Sequence, residues 1–143
     1  MKGILYISKA NTEFTEKALT ELCIQSAAKN EEFDITGFLC FFGNTFLQYI
    51  EGFDEVITLM DNIRADTRHR ILYETEPEYV GRRNFSSWSM KYVKDSELSK
   101  VRLENCVEQN LHFVNKNYFD KDRCNMYLWQ QARTISLLQD LRG

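Results

Sequence analysis

Four polar side chains in the first half of the chain have the types and spacing to act together on a planar ligand. Tyr6 and Gln48 fall in runs of residues that predict β-strands. Ser26 and Asn30 fall one turn apart at the end of a predicted helix. If the two strands are neighbours, Tyr6 and Gln48 touch across them and Asn30 approaches from the helix above. A buried glutamine amide must be hydrogen-bonded, because leaving it unpaired costs about 1–3 kcal/mol, and the tyrosine and a planar heterocycle could supply its partners.

The hydrophobic pattern predicts the elements that would hold these residues in place. Two β-rich runs, ITGFLCFF and TFLQYIEG, flank Gly43-Asn44, which is a strong signal for a hairpin. Further strands are predicted at residues 2–8, 70–76 and 86–93, and helices at about 15–30, with Thr15 as N-cap, and 54–68. The order β-α-β-β-α-β-β begins with the ferredoxin-like split βαβ pattern of an α+β fold. Right-handed crossovers place the first strand beside the third, with both helices on one face of the sheet.

The C-terminal tail is predicted to be helical. Its amphipathic stripe consists of Cys124, Leu128, Ala132, Ile135 and Leu138. The hairpin strands are apolar on both faces, so the sheet needs cover on both. We therefore expect a domain of residues 1–94 followed by a helical extension, residues 95–143, whose helices cover the face opposite the first two helices.

The composition is that of a globular domain and excludes several classes of function. Of the 143 residues, 43% are hydrophobic, and the net charge is −3, so a nucleic acid is not an expected partner. No segment has the length of a signal peptide core or a membrane span. The 4 cysteines form neither a CxxC pair nor a metal-ligand spacing, so no metal is expected. A cytoplasmic protein without membrane association follows as the expectation.

Taken in order, these residues resemble the motifs of the BLUF family, which are sensors of blue light using FAD. The resemblance is carried by Tyr6, Ser26-x-x-x-Asn30, ITGFL from Ile35, FLQYIEG from Phe46, Arg68-His69 and NFSSWSM from Asn84. It covers about residues 1–93 and implies a photoreceptor that is not an enzyme. It also implies non-covalent FAD, with FMN or riboflavin as alternatives, bound between the two helices.

The resemblance further implies a role for each matching residue. The photochemical residues would be Tyr6, Gln48, Trp88 and Met90. Tyr6 would give an electron and a proton to the flavin through Gln48, whose amide is left in a changed rotamer or tautomer. Trp88 and Met90, expected on the last strand, would then exchange places or hydrogen bonds with Gln48 and pass the signal to the tail. The flavin would be held by Ser26, Lys29, Asn30, Phe46, Gln48, Ile50, Arg68 and His69.

Two other classes of function fit the same predicted fold. A small enzyme is one, although no glycine-rich phosphate loop precedes the first helix and no nicotinamide motif is present. A partner-binding module that has lost its flavin is the other. In the photoreceptor interpretation, output passes to an unidentified downstream protein or through a homo-oligomer.

Overall fold

The computed structural model of the 143-residue chain describes residues 1–94 and 121–141. The chain divides into two compact units, Met1–Val93 and Lys94–Gly143. The helical character predicted for residues 95–120 lies outside the described residues.

The first unit is an α+β fold built on one mixed sheet. Its elements are β1 Lys2–Ala10, α1 Glu16–Glu32, β2 Thr36–Phe42, β3 Thr45–Gly52, α2 Glu55–Ala65, β4 His69–Glu74, β5 Glu78–Tyr79 and β6 Lys91–Val93. The strand order is β4-β1-β3-β2-β6, and the short β5 also pairs with β1. The predicted ferredoxin-like βαββαβ pattern, with the first strand beside the third, is confirmed.

Helix α1 begins at the predicted cap and ends on a buried polar residue. The Thr15 hydroxyl accepts a hydrogen bond from the Ala18 backbone N–H at 3.1 Å, as an N-cap does. Leu19 and Cys23 are buried on the inner face, and Asn30 follows on the same face in the last turns. The helical period therefore delivers an amide side chain to the interior at the end of the helix.

The predicted hairpin joins β2 and β3 through a two-residue turn. Gly43 has a φ of 56° and Asn44 a φ of 61°. A tight hairpin turn needs positive φ at both positions, and glycine and asparagine are the residues that adopt it at least cost. The turn sets the register of the two strands, in which Leu39 lies opposite Gln48.

Both helices pack on one face of the sheet, as predicted. One core cluster joins residues of α1, α2 and the three central strands: Ile4, Tyr6, Leu19, Cys23, Leu39, Phe46, Ile50, Val56 and Met60. Successive strand residues point to opposite faces, so Phe46, Gln48 and Ile50 of β3 face the helices, and Leu47, Tyr49 and Glu51 face away.

The opposite face of the sheet carries a cluster of aromatic rings. The Phe85 ring lies 5.1 Å from Phe38 and 5.3 Å from Tyr49, measured between centroids. It also stacks on Trp88 at 5.6 Å. The prediction that C-terminal helices cover this face stays a prediction, because residues 95–120 lie outside the described part of the chain.

Two predicted boundaries are wrong. The strand predicted at residues 86–93 is confined to Lys91–Val93, which pairs with β2 in parallel. Residues 84–90 lie outside the helices and strands, so Trp88 and Met90 precede the last strand rather than lie on it. Helix α2 ends at Ala65 and not at residue 68, because Asp66 adopts an extended backbone with ψ of 113°.

The described element of the second unit is a long helix, α3 Lys121–Leu141. Cys124, Leu128, Ala132 and Ile135 are buried, which confirms the predicted apolar stripe over these positions. The side chain of Leu138, the last residue of the predicted stripe, lies outside the described ones.

Candidate functional site

Tyr6 and Gln48 form the centre of the site. The register of β1 and β3 sets them directly opposite each other, and both are buried. The Tyr6 hydroxyl donates a hydrogen bond to Gln48 Oε1. Gln48 Nε2 in turn donates to the Met90 sulfur, Sδ, at 3.3 Å. The structure thus brings Tyr6 and Gln48 into contact, as the sequence predicted, and adds Met90 as the second partner of the amide.

The environment of Tyr6 keeps its hydroxyl protonated. Burial raises the pKa of Tyr6 well above the ordinary value for a phenol, and the nearby Asp66 carboxylate and Cys23 thiol raise it further. A proton that leaves this hydroxyl has Gln48 Oε1 as its hydrogen-bonded acceptor.

Asn30 enters the site from the end of α1. Its side chain is buried, and Nδ2 donates to the backbone carbonyl of Ser89 at 3.3 Å. Its own backbone carbonyl accepts from the N–H groups of Phe33 and Ile35, which fixes the end of the helix. Within the part of the chain that the structure describes, Asn30 Oδ1 accepts no hydrogen bond. The residue lines a cavity, so this oxygen is available to a ligand.

A cavity of about 210 Å³ lies between α1 and α2, above the sheet. Six apolar side chains form part of its wall: Phe14, Leu22, Leu39, Phe46, Leu59 and Ile63. Hydroxyl and amide groups complete it: Tyr6, Ser26, Asn30, Gln48 and Asn62. Such a wall suits an apolar ring system that carries hydrogen-bonding atoms along its edge.

Three charged side chains, Lys29, Asp66 and Arg68, line the same cavity. Arg68 lies in the loop after α2, where Nη2 donates to Asp66 Oδ2 at 2.6 Å and Nε to Oδ1 at 3.0 Å. These hydrogen bonds lower the pKa of Asp66 to about 2. Arg68 therefore has a carboxylate partner already, whereas Lys29 is exposed on the last turn of α1.

His69 supports the tyrosine from the side. It is the first residue of β4. Its ring meets the Tyr6 ring edge-on, with centroids 6.0 Å apart. In the neutral ring, Nε2 donates to the Ile63 carbonyl at 2.7 Å, and Nδ1 accepts from the Ser8 hydroxyl at 2.7 Å. Both ring nitrogens are thus used in fixing the imidazole.

Three residues predicted for the site, Ile50, Trp88 and Met90, do not line the cavity. Ile50, predicted to hold the cofactor, is fully buried in the core between the helices and the sheet. Trp88, predicted to act in the photochemistry, stacks on Phe85 on the opposite face of the sheet. Met90 rather than Trp88 is therefore the neighbour of Gln48 in this state.

Sequence reasoning missed several cavity residues. They are Phe14, Leu22, Leu39, Leu59, Asn62, Ile63 and Asp66. Asn62 carried a usable signal, because it is a polar residue of α2 beside the partly buried Ile63. The others are ordinary core or loop types whose sequence positions give no indication of a ligand.

Comparisons with known proteins assign most of the chain to one family. The family model described as sensors of blue-light using FAD, abbreviated BLUF, matches residues 1–91. Photoactivated adenylate cyclase subunit beta of Euglena gracilis is 28% identical over 138 residues, which are 90% of this chain and 16% of that protein. The chain therefore spans only a small part of the length of the curated relatives it matches.

Solved structures give the same assignment. The dark-state structure of BlrB, a BLUF protein, matches with a TM-score of 0.75 and 26% identity over 95% of both chains. A bacterial light-regulated adenylyl cyclase matches with a TM-score of 0.70 and 26% identity, over 90% of this chain and 39% of that one.

Among residues 1–94 and 121–141, no helix is long and apolar enough to cross a membrane. The same residues contain no cluster of three or more His, Cys, Asp or Glu that could hold a metal ion.

Proposed function

We propose that this chain, which belongs to the BLUF family of sensors of blue light using FAD, detects blue light with a flavin held non-covalently between α1 and α2. One observation carries the proposal: the buried Tyr6–Gln48 hydrogen bond lies in the wall of a cavity whose polar groups have unfilled hydrogen-bonding positions. When bound, the flavin supplies the absorption of blue light and an excited state that accepts an electron. The chain is a photoreceptor module rather than an enzyme.

The polar groups of the cavity fit the edge of a flavin ring. A glutamine amide has two N–H donors and an oxygen that accepts twice. Tyr6 occupies one position of the oxygen and Met90 one N–H, so Gln48 keeps one free position on each side. Asn30 Oδ1 and the hydroxyl of Ser26 add an acceptor and a donor on the facing helix. The carbonyl and imide groups of a flavin match these positions, and its apolar ring matches the wall.

Tyr6 is the donor of both electron and proton in this proposal. A neutral tyrosine becomes a usable one-electron donor when its proton has an acceptor, and Gln48 Oε1 is hydrogen-bonded to it. An amide both accepts and donates, so Gln48 can relay a proton between the phenol and the ligand. Once the electron and proton had returned to Tyr6, the Gln48 amide would be left in a changed rotamer or tautomer. It could then donate a new hydrogen bond to a bound flavin, whose absorption would shift to the red.

The partners of Gln48 favour two amide arrangements of similar free energy. A thioether sulfur is a weak acceptor, so the Gln48–Met90 bond costs little to lose when the amide changes. A switch needs two such states within a few kcal/mol of each other. Trp88 takes no part in the dark arrangement in this proposal, and exchange with Met90 is a consequence of the changed amide.

We propose FAD as the flavin, with FMN or riboflavin able to fill the same ring site. The support is the charge at the cavity. Lys29 is exposed there and can reach a phosphate group, whereas Arg68 must first leave Asp66. Phosphate contacts by Lys29 would make FAD or FMN bind more tightly than riboflavin at low salt.

The output is proposed to leave through the segment that follows Met90. Met90 is the residue immediately before β6, and β6 leads within three residues to the end of the first unit. A changed Gln48 alters the contact of Met90 and so the start of this strand. A downstream protein or a second copy of the chain would read the change. Cys23, Cys40 and Cys124 form no disulfide among the described residues, which fits action in a reducing compartment such as the cytoplasm.

The proposal is tested by the spectrum of the protein purified in the dark. We expect a yellow protein that releases its flavin on mild denaturation and shows a small, reversible red shift in blue light, with the flavin fully oxidised. A colourless protein would favour the flavin-free partner-binding alternative. A bleached spectrum of the kind given by a cysteinyl adduct would exclude the Tyr6–Gln48 mechanism.

Two variants separate the mechanism from the family assignment. Tyr6→Phe and Gln48→Ala should bind flavin and show no red shift, because one lacks the proton donor and the other the relay. Tyr79→Phe is the matched control, since Tyr79 is 83% exposed, and it should respond as the wild type does. A normal light-minus-dark spectrum in either site variant would show that the mechanism is wrong even in a yellow protein.

A further inference from the structure

Glu51 is a fully buried carboxylate on the face of the sheet away from the cavity. Its Oε1 accepts hydrogen bonds from the Tyr49 hydroxyl and the Asn84 backbone N–H, both at 2.9 Å. Its Oε2 accepts from the Thr36 hydroxyl at 2.9 Å and the Phe85 backbone N–H at 2.8 Å. Two consecutive backbone N–H groups of a long loop are thus held by one side chain from the centre of the sheet.

The four donors are all satisfied only if both side-chain oxygens of Glu51 act as acceptors. Backbone N–H groups cannot reverse their role, and one of them points at each oxygen of Glu51. A glutamine at this position would direct its NH₂ group at an N–H donor in either orientation of the amide. Buried charge-assisted hydrogen bonds of this kind are the strong ones, so the two backbone groups are fixed firmly.

Arg83, one residue earlier, makes a second set of contacts that hold the same loop. Arg83 forms an ion pair with Asp34 at 2.9 Å, and its Nη2 donates to the Asp34 backbone carbonyl at 2.6 Å. Its Nη1 donates to the Thr36 hydroxyl at 2.9 Å. Residues 83–85 are therefore bound to the start of β2 and the end of β3 before the chain turns towards the cavity.

The far end of this loop carries the contacts of the switch. The carbonyl of Trp88 accepts from the Gly37 N–H at 2.9 Å. The next carbonyl, that of Ser89, accepts from Asn30, and the Met90 sulfur accepts from Gln48. The stretch from residue 84 to residue 90 thus crosses from one face of the sheet to the other, tied to Glu51 at its start and to the site at its end.

We propose that Glu51 is a positioning residue for the light reaction: by holding the N–H groups of Asn84 and Phe85, it sets where Met90 meets Gln48 and where Ser89 meets Asn30. The claim rests on the proposed function. Glu51 does not touch the cavity and acts through the loop alone. Loosening its hold changes the relative free energy of the two arrangements of Gln48, and hence the rate at which the dark state returns.

The isosteric variant Glu51→Gln tests the proposal in the full chain loaded with flavin. We expect it to bind flavin and shift to the red, and to change the rate of dark recovery by roughly threefold to tenfold, as loss of one or two contacts does. The matched control is Glu76→Gln, an exposed carboxylate in a loop, which should recover at the wild-type rate. Wild-type recovery in a folded, flavin-loaded Glu51→Gln protein would overturn the proposal.

A double-mutant cycle separates positioning from a general structural role. If Glu51 acts through Met90, then Glu51→Gln should change the recovery rate in the wild-type background and change it less in a Met90→Ala background, where only the Ser89–Asn30 contact remains. Equal effects in both backgrounds would mean that the carboxylate does not act through this contact, and would overturn the inference.

Hydrogen exchange on the wild-type chain in the dark decides the case in which Glu51→Gln does not fold. The amides of Asn84 and Phe85 should exchange slowly, although they lie outside regular structure, and exposed Glu76 should exchange fast. Fast exchange at residues 84 and 85 would overturn the inference. An absent red shift in the wild type would instead refute the proposed function, so the two failures are distinguishable.

Discussion

Gln48 and Glu51 lie three residues apart on β3 and face opposite sides of one sheet. They differ by an NH₂ group for an oxygen and by one charge, and both are buried. Gln48 has one strong partner, the Tyr6 hydroxyl, and one weak partner, the Met90 sulfur. Glu51 has four donors within 2.9 Å, two of them backbone groups. One strand therefore carries a loosely held amide and a tightly held carboxylate.

The difference shows what makes a polar side chain able to switch. An amide has chemically distinct ends, so reversing it exchanges a donor for an acceptor and creates a second state. A carboxylate has equivalent ends, and reversing it changes nothing. The cavity beside Gln48 also leaves room for other partners, whereas the surroundings of Glu51 are filled by Tyr49 and the packed Phe85 ring.

The largest effect on stability is expected at Glu51, on the face of the sheet away from the cavity. Glu51→Ala leaves four donors buried without an acceptor and should lower the free energy of unfolding by about 3–5 kcal/mol. Urea denaturation in the dark, followed by circular dichroism, measures the change. A loss below that of a typical surface substitution would show that water replaces the carboxylate, and the two faces would not differ as described.

A smaller effect on stability is expected at Gln48. Gln48→Ala removes the acceptor of Tyr6, but the adjoining cavity lets water or a ligand take its place, so the loss should be about 1–2 kcal/mol. The same urea titration gives the comparison with Glu51→Ala. If the two losses were equal, the greater freedom ascribed to the amide would have no energetic basis.

The smallest expected effect is on stability in acid, and it concerns Asp66 and Arg68, which line the cavity. Hydrogen bonds from Arg68 lower the pKa of Asp66 from 3.8 to about 2, so the folded state holds this carboxylate ionised more strongly than the unfolded chain does. The resulting stabilisation is complete above the unfolded pKa and is lost as the pH falls through 3.8 towards 2. Because the Asp66 side chain is 31% exposed, we expect less than about 1 kcal/mol.

The measurement is a difference between two proteins, since other carboxylates titrate in the same range. Urea denaturation of the wild type and of Asp66→Asn at about pH 5 and about pH 2.5 isolates the contribution of this pair. The wild type should lose slightly more stability between the two values than the variant. An identical loss in both would show that the ion pair contributes nothing to the fold.

The sequence predicted the parts of the site that regular structure positions. The strand order follows from crossover handedness and the hairpin from Gly43-Asn44, and together they set Tyr6 opposite Gln48. The helical period places Asn30 on the inner face of α1. Periodicity works for these residues because each lies in an element that repeats regularly.

The remaining parts depend on contacts that periodicity does not describe. Residues 86–93 were predicted as a strand, whereas residues 84–90 form a loop whose start is held by the Glu51 carboxylate. Met90 as a partner of Gln48, and Ser89 as a partner of Asn30, follow from that loop path. Ile50 belongs to the core cluster and does not line the cavity, so its contact with a cofactor stays a prediction.

The alternation of side chains along β3 also limits how this gene can change in length. Two strand residues whose numbers differ by an odd number point to opposite faces of the sheet, as Gln48 and Glu51 do. Inserting or deleting one codon between them would bring both side chains to the same face of the sheet. Either the carboxylate would then point into the cavity, or the amide would point at the backbone N–H groups of the loop. A point substitution can therefore change one side chain of this strand without moving the others. A single-codon insertion or deletion instead disrupts the contacts of Gln48 or those of Glu51 by reversing the face on which the side chain lies.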